Sequence, residues 1–459
     1  MTFAARVISR TGILVEFRRR KGGVAGACIL LALIFMTIYS AVAVPLESFR
    51  QWNNPKFWID LPKDAAPAWT NIGFGAKVSE HIVLHSKDAS ISSSSENGIA
   101  TLVHDYSINY NYDSYPNDFM LLYSARYGST QPILRIDVIR PDGKDFMLYY
   151  ASLQSGNEFS RVFSTDRSLT NNLRSHVGEF AYKQDPSMPQ VMIFSDIQEN
   201  KVLKGKYVIR ETFYLFGSND KVVDSGVILG GKVYGLMGTD ELRRDLAVGI
   251  LWGAPVALFI GLVVSIAGVI IGLIYGVAAG YKGKRTDEGL MRINDIFYSL
   301  PTLPLLIILS VTIGRSIFLI TGFLVIFSWV GMAKISRSLA LQLKNLQYVE
   351  AAKLMGQSDT KIIFKHIIPQ LLPLTFASIA ISVPAAILGE STLSFLGLSD
   401  ASIPTWGQIL HDAQSAGAAS RGLWWWIIPP GLMIAITGLA FVLIGSALDS
   451  IMNPRSKRM

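Results

Sequence analysis

The sequence predicts an α-helical polytopic membrane protein with six transmembrane helices and a β-rich extracytoplasmic domain inserted between helices 1 and 2. Three observations predict it. Half of the 459 residues are apolar and only 17% are charged, below the quarter or so usual in soluble domains. The apolar residues gather into runs long enough to span, which takes about 20 residues for a hydrocarbon core about 30 Å thick. The basic residues, which leave a formal charge of +8, flank those runs instead of collecting on a soluble face. That distribution sets membrane orientation and speaks against nucleic acid as a partner.

Residues 1–23 read as a cytoplasmic segment because Arg18, Arg19, Arg20 and Lys21 precede the first run, Val24–Val44. This run is longer than a secretory signal core and its lead-in is long, which favours an uncleaved span. Leu246–Tyr281 is uncharged and exceeds one span, so it is expected to tilt or to begin with an interfacial piece broken at Pro255. Ile296–Gly314 and Ser316–Ala333 follow, separated by Arg315, and then come Gln370–Gly389 and Gly422–Leu448. The last run opens on Trp424, Trp425 and Trp426, residues suited to a membrane–water interface. Lys282, Lys284 and Arg285 follow the second run, Lys334, Arg337, Lys344, Lys353, Lys361 and Lys365 lie between the fourth and fifth, and Arg455, Lys457 and Arg458 close the chain. Alternate loops are therefore basic, and the positive-inside rule puts both termini in the cytoplasm of a multi-pass cell-membrane protein. The expected membrane core is 238–448, with a cytoplasmic tail over 449–459.

Residues 45–237 differ in kind: they are polar, rich in Ser, Asp, Asn and Tyr, and contain no run of membrane length. Leu134 to Ile139 alternate with period two, the turn Pro141-Asp142-Gly143 follows, and Phe146 to Tyr150 complete a hairpin signal. Tyr207 to Phe216 read as another strand, and Ser90 to Asn97 as a serine-rich loop tip. The expectation is a β-sandwich on the outer side.

The loop at about 334–370 is the most informative inner stretch. Tyr348 to Met355 are strong helix formers that stop at Gly356, where glycine can take a left-handed conformation. Ser358 and Asp359 can cap a second helix, Thr360 to His366, which Pro369 is expected to break before the fifth span. On physics alone this is an amphipathic connector beneath the membrane.

The particular residues carry more. Glu350-Ala351-Ala352, then Gly356, then His366-Ile367-Ile368-Pro369 resemble the EAA loop of ABC importer permeases, in the version of the dipeptide/oligopeptide/nickel family. Arg18 to Lys21 resemble the family's lead-in to span one. Gly238-Thr239-Asp240-Glu241-Leu242-Arg243-Arg244-Asp245 resembles its G-T-D-x-x-G-R-D, with Arg243 where glycine is usual. Glu390 to Leu398, followed by Pro404-Thr405-Trp406-Gly407, is similar to its E-x-x-L-S-F-L-G-L…P-x-W-G. Four motifs occur in family order, over the first 45 residues or so and from about residue 234 onward.

The resemblance implies a C-type permease subunit with the type I importer fold, moving peptides, with oligosaccharides and nickel as further family substrates. It implies that Glu350, Ala351, Ala352, Gly356, His366 and Pro369 belong to a coupling helix docking on a cytoplasmic ATPase. Implied partners are a B-type permease, two ATPase subunits and an extracytoplasmic substrate-binding protein. The chain has no G-x-x-x-x-G-K-[ST] loop, so no cofactor is expected on it, and ATP with Mg belongs to the partners.

Charges near spans are candidates because they are costly there. Asp295 either serves the substrate path or pairs with Arg292, the reading the residues favour. Glu390 either lines the path or caps a helix beginning near Ser391. Tyr106, Tyr110, Tyr112 and Tyr115 suit either ligand stacking or, preferably, strand support. The single cysteine, Cys28, and the six histidines show no metal-ligand spacing. Two other classes fit the sequence less well. A receptor with an outer ligand domain needs a larger inner output module, and a secondary transporter is expected to carry inverted repeats and broken helices. The insert departs from the family's short outer segment; its expected role is to receive a binding protein or cover the pathway mouth, with a brace against the partner permease as the alternative.

Overall fold

The computed structural model describes residues 16–72, 75–96, 98–128, 130–154, 159–176, 188–196 and 201–452. The basic residues Arg455, Lys457 and Arg458 lie outside these. The chain forms two compact units, Met1–Asn53 with Val248–Met459, and Asn54–Ala247.

The first unit begins with α1 (Lys21–Ala43) and resumes with α2 (Leu246–Lys282). It continues through α3 (Lys284–Ser299), α4 (Thr302–Ile313), α5 (Ile317–Leu343), α6 (Gln347–Leu354), α7 (Asp359–Phe395), α8 (Trp406–Ser415) and α9 (Trp424–Met452). Five helices are long and apolar enough to cross a membrane, and α3 with α4 make a sixth if that pair, bent by 79°, counts as one span. The unbroken third span expected over Ile296–Gly314 is thus corrected. Pro301 and Pro304 follow the polar end of α3, and α4 with 12 residues reaches only about 18 Å. Two other boundaries differ. α2 runs through Pro255 as one helix of 37 residues, about 55 Å long, and α5 extends past Ala333 to Leu343. Lys334 and Arg337 therefore lie on the helix itself.

α2 carries Gly268, Gly272, Gly276 and Gly280 four residues apart, one stripe of the helix, and this stripe lies on α5. A Cβ at Gly272 would fall 2.5 Å from the Trp329 carbonyl oxygen, and one at Gly280 would fall 2.6 Å from that of Arg337. At Gly268 and Gly276 it would strike Ser328 and the Ala333 carbonyl more closely still. Hydrocarbon gives no hydrophobic drive for helix pairing, so backbone-close packing over small residues supplies the attraction. Gly26 of α1 does the same against Ala440 of α9.

The second unit is a β-sandwich. Its strands are β1 (Ile82–His85), β2 (Ser90–Glu96), β3 (Ile99–Tyr110), β4 (Asp118–Arg126), β5 (Ile133–Ile139), β6 (Asp145–Ser152), β7 (Ser160–Phe163), β8 (Ser195–Asp196), β9 (Lys201–Val202), β10 (Gly205–Leu215) and β11 (Lys221–Gly230). One sheet has the order β1-β11-β4-β7, the other β2-β3-β10-β5-β6, and β8 pairs with β9. Leu134, Ile136 and Val138 face inward with Tyr207, Ile209 and Phe213, and meet Phe119, Leu121, Val227 and Leu229 of the opposite sheet in one core. The hairpin read around Pro141-Asp142-Gly143 is β5–β6. The loop tip read at Ser90 to Asn97 is corrected: Ser90–Glu96 is an exposed edge strand paired to β3 along its length, and Asn97 lies outside the described residues. Tyr106, Tyr110 and Tyr112 are buried in this core with Tyr115 against it, so strand support is their role.

Glu211 interrupts the inward row of β10. It is fully buried, opposite His104 on β3 and Ile136 on β5. His104 Nδ1 and Tyr106 Oη each lie 2.7 Å from Ser225 Oγ beside it. Burial pushes the Glu211 carboxyl well above its ordinary 4.5, more than Ser225 offsets. His81 shifts the other way: burial lowers it to about 4, against the attraction of Asp118.

Two expectations follow from this packing. Gly276→Leu costs about 3 kcal/mol or more by forcing α2 off α5, read as lost monodispersity and a lowered denaturation midpoint in detergent. In the sandwich, folded Glu211 keeps a proton that the unfolded chain releases above about pH 4.5, so its contribution weakens as pH rises. Glu211→Gln therefore raises the insert's thermal midpoint more at pH 8 than at pH 5, followed in the full chain by β-sheet circular dichroism. His81 has the opposite sign: its contribution is present above pH 6.5 and is lost as pH falls towards 4.

Candidate functional site

The stretch from α6 to the start of α7 is built on an apolar underside. Val349, Ala352, Ile362, Ile363 and Ile367 pack into one cluster with Val269, Leu273 and Val277 of α2, Met332 and Ala340 of α5, and Leu371. Ala352 is the buried member of Glu350-Ala351-Ala352; Glu350 and Ala351 face outward. A small residue at 352 lets α6 lie close to the bundle while Glu350 stays free for a contact beyond it.

The helix ends as its residues require. Gly356 has φ of +76°, its N–H donates to Lys353 O at 3.0 Å, and Gln357 N–H donates to Ala352 O at 3.2 Å. This is a glycine C-cap of the left-handed type. A Cβ at Gly356 would meet nothing within 4 Å, so the demand for glycine there is backbone conformation, not space. Beyond the bend, His366 Nε2 lies 3.0 Å from Gln357 Oε1, tying the two arms together. Tyr281 Oη donates to Asp359 Oδ1 at 3.1 Å, and Lys344 Nζ donates to Gly280 O at 3.1 Å.

The break expected at Pro369 does not occur. Asp359–Phe395 is one helix of 37 residues, and Ile363–Ile367 just before the proline is a π-helical turn. The wider turn relieves the clash of the Pro369 ring with the preceding carbonyls, and the helix passes through. Ser358 occupies the N-cap position without a side-chain cap bond.

The outward side of the bend is unusually apolar. Leu354 is 86% exposed, Met355 74% and Phe364 55%. Glu350, Lys353, Lys361 and Lys365, a few residues away in sequence, are exposed as well. An apolar centre rimmed by charge is the anatomy of a docking patch.

The two candidate carboxylates stand apart from this patch. Asp295 pairs with Lys334 Nζ at 2.9 Å, not with Arg292, which pairs with Glu288 at 3.1 Å. Lys334 also sits 3.9 Å above the Tyr298 ring. With the paired Arg337 and Asp287, and Asn294 Nδ2 donating to Val330 O at 3.1 Å, Asp295 fastens α3 to α5. Sequence reasoning missed Arg337 and Asp287 because it placed Arg337 in a loop. Glu390 does not cap a helix, since α7 runs through it to Phe395. It is buried, accepting from Ser394 Oγ at 2.5 Å and Ser391 Oγ at 3.4 Å. Thr405 Oγ1, the N-cap of α8, lies 3.4 Å from Ser394 Oγ, so the Glu390 cluster helps seat α8 on α7. Its neighbour Trp406 donates from Nε1 to Ile250 O at 3.0 Å. Among the described residues no cluster of His, Cys, Asp and Glu is arranged to hold a metal.

The Gly356 geometry fixes one expectation. Gly356→Ala costs about 1 kcal/mol through the left-handed backbone alone, and speeds amide exchange over residues 352–358. Gly356→Asn is better tolerated, since asparagine reaches that conformation more readily.

Residues 268–458 match the family model of the binding-protein-dependent transport system inner membrane component. The chain is 39% identical over 222 residues to the dipeptide transport system permease protein of Bacillus subtilis, covering 48% of this chain and 69% of that one. It is 36% identical to the oligopeptide transport system permease protein of the same organism, covering 48% of this chain and 72% of that one. It is 32% identical to the glutathione transport system permease protein of Pectobacterium atrosepticum, with 48% and 73% covered. With these likenesses joined to the helical bundle and its loop motif, the chain belongs to the binding-protein-dependent inner membrane component family, as a non-catalytic, multi-pass C-type permease subunit of an ATP-driven importer.

Proposed function

We propose that this subunit forms half of a translocation pathway for peptides and couples it to ATPase partners through the bend at Gly356. The observation that carries the coupling is the patch itself: Leu354, Met355 and Phe364 are exposed at the apex of an otherwise well-packed turn, with Glu350 beside them. The peptide substrate is supported by relatives whose names specify dipeptide and oligopeptide transport.

In this reading, Glu350 contacts the ATPase surface and the apolar residues at the bend fill a groove on it. Ala352 sets how closely α6 approaches the bundle, and His366 holds the bend through Gln357. The continuous helix beyond Pro369 then carries displacement into the membrane. ATP and Mg belong to the two ATPase subunits, and a B-type permease completes the pathway. The basic flanks of the spans support cytoplasmic termini, which puts residues 45–237 outside, within reach of a substrate-binding protein. Asp295 and Glu390 hold helices together.

Purification of this subunit from its native membrane through a C-terminal tag tests the reading. The expected outcome is recovery of a second permease and two ATPase chains, with ATP-driven peptide uptake after reconstitution. Glu350→Arg is expected to leave the subunit folded and abolish coupling, so that uptake falls at least about tenfold. Recovery of the chain alone, active in vesicles without ATP, overturns it.

A further inference from the structure

A cavity of about 450 Å³ lies among α2, α4, α5 and α7, within the range of small-molecule sites, roughly 300–1,000 Å³. No charged residue lines it. Its walls are apolar, chiefly Val264, Leu306, Leu324 and Phe327, and into them are set the hydroxyl residues Ser265, Thr302, Ser328, Ser382 and Thr392. Glu390 is not part of the lining, although its neighbour Gly389 is.

The hydroxyls differ in a way that matters. Ser382 donates to Ser378 O at 2.8 Å, Thr392 to Leu388 O at 2.7 Å and Ser328 to Val325 O at 3.0 Å. Each has spent its proton on its own helix and offers lone pairs to an incoming donor. Elsewhere in the bundle Thr321, Ser336, Thr375 and Thr437 are satisfied the same way. Ser265 is not. It is 2% exposed, and its Oγ has no hydrogen-bond partner. A buried polar group without a partner is costly anywhere and most of all in hydrocarbon. The buried Ser265 therefore keeps a free donor, while Ser328, Ser382 and Thr392 present acceptors.

We propose that this cavity is a subsite of the pathway that takes the amide backbone of an extended peptide: Ser265 donates to a peptide carbonyl, while Ser328, Ser382 and Thr392 accept from peptide N–H groups. With no charge in the lining to pair with them, the charged termini stay outside the subsite, which meets only the backbone amides. The apolar walls accept varied side chains, so recognition falls on the one feature all peptides share. The inference rests on the peptide-importer reading and deepens it.

The test uses the whole importer reconstituted in vesicles, with labelled triglycine and its backbone N-methylated counterpart, trisarcosine, as probes. Wild type is expected to import triglycine faster than trisarcosine. Ser265→Ala, which removes the free donor, slows triglycine about fivefold. Ser265→Leu, which fills the cavity, slows both probes at least about tenfold; yield and basal ATPase activity report whether each variant is assembled. Should Ser265→Leu misassemble, Ser382→Val is the second probe, expected to shrink the preference for triglycine. Wild-type uptake with no effect of any variant, or equal import of both probes, overturns the subsite while leaving the peptide-importer reading intact. An assembled wild-type complex that imports oligosaccharide and neither probe overturns both.

Discussion

The bundle depends on how closely α2 can lie against α5. Both helices are surrounded by apolar residues, and in hydrocarbon burying those residues against each other gains little. What remains is direct contact between backbones, and four glycines at a spacing of four supply it. The seam has two consequences at its ends. At Gly268 it sets Ser328 beside α2, next to Val264 and Ser265, which frames the cavity. At Gly280 it brings the carbonyl that Lys344 holds and the Tyr281 that reaches Asp359, which fixes the loop. The cavity and the exposed bend are thus joined by one closely packed pair of helices.

α7 supplies the second connection. A proline at 369 that broke the helix would have made a hinge between the loop and the bundle. The π-helical turn over Ile363–Ile367 absorbs the ring instead, so the arm after Gly356 is the beginning of the same rod that carries Ser382 and Thr392. Bending is concentrated at Gly356, where the left-handed backbone turns the chain, and the His366–Gln357 contact limits it.

Five of the six apolar runs read in the sequence fall on helices long and apolar enough to cross a membrane, because length and apolarity are local properties; the third is a bent pair. The sequence was poorer at their ends. Lys334 and Arg337 look like loop residues by charge, yet they lie on α5 because Asp295 and Asp287 of α3 neutralise them. That pairing crosses elements about 40 to 50 residues apart in sequence, beyond what local spacing can report. The same holds for Glu390, whose partners Ser391 and Ser394 are local but whose burial comes from α8. The Ser90–Glu96 strand was missed because its side chains carry no alternation; its pairing is supplied by β3. The bend at Gly356 was legible, since a glycine closing a helix-forming run has a local cause. The free hydroxyl of Ser265 was not, since only the packed bundle shows that it lacks a partner.

Arg243 carries both a backbone strain and its compensation within the β-rich unit. It stands where the family pattern has glycine, and it keeps a glycine's conformation, with φ of +66°. For arginine that backbone costs about 1–2 kcal/mol. The side chain offsets it: Arg243 donates to Leu61 O at 2.7 Å and pairs with Asp118 at the start of β4. Neighbouring motif residues also bind the β-rich unit. Thr239 Oγ1 donates to Pro62 O at 2.7 Å and accepts from Ala65 N–H at 3.0 Å, and Asp64 N–H donates to Asp240 O at 3.1 Å. The buried Asp240–Arg244 pair anchors the motif beneath them. The strain at Arg243 is thus offset by contacts to Leu61 and Asp118, both in the β-rich unit. The motif residues 238–245 are therefore held within the β-rich unit itself, by Leu61, Pro62, Asp64, Ala65 and Asp118.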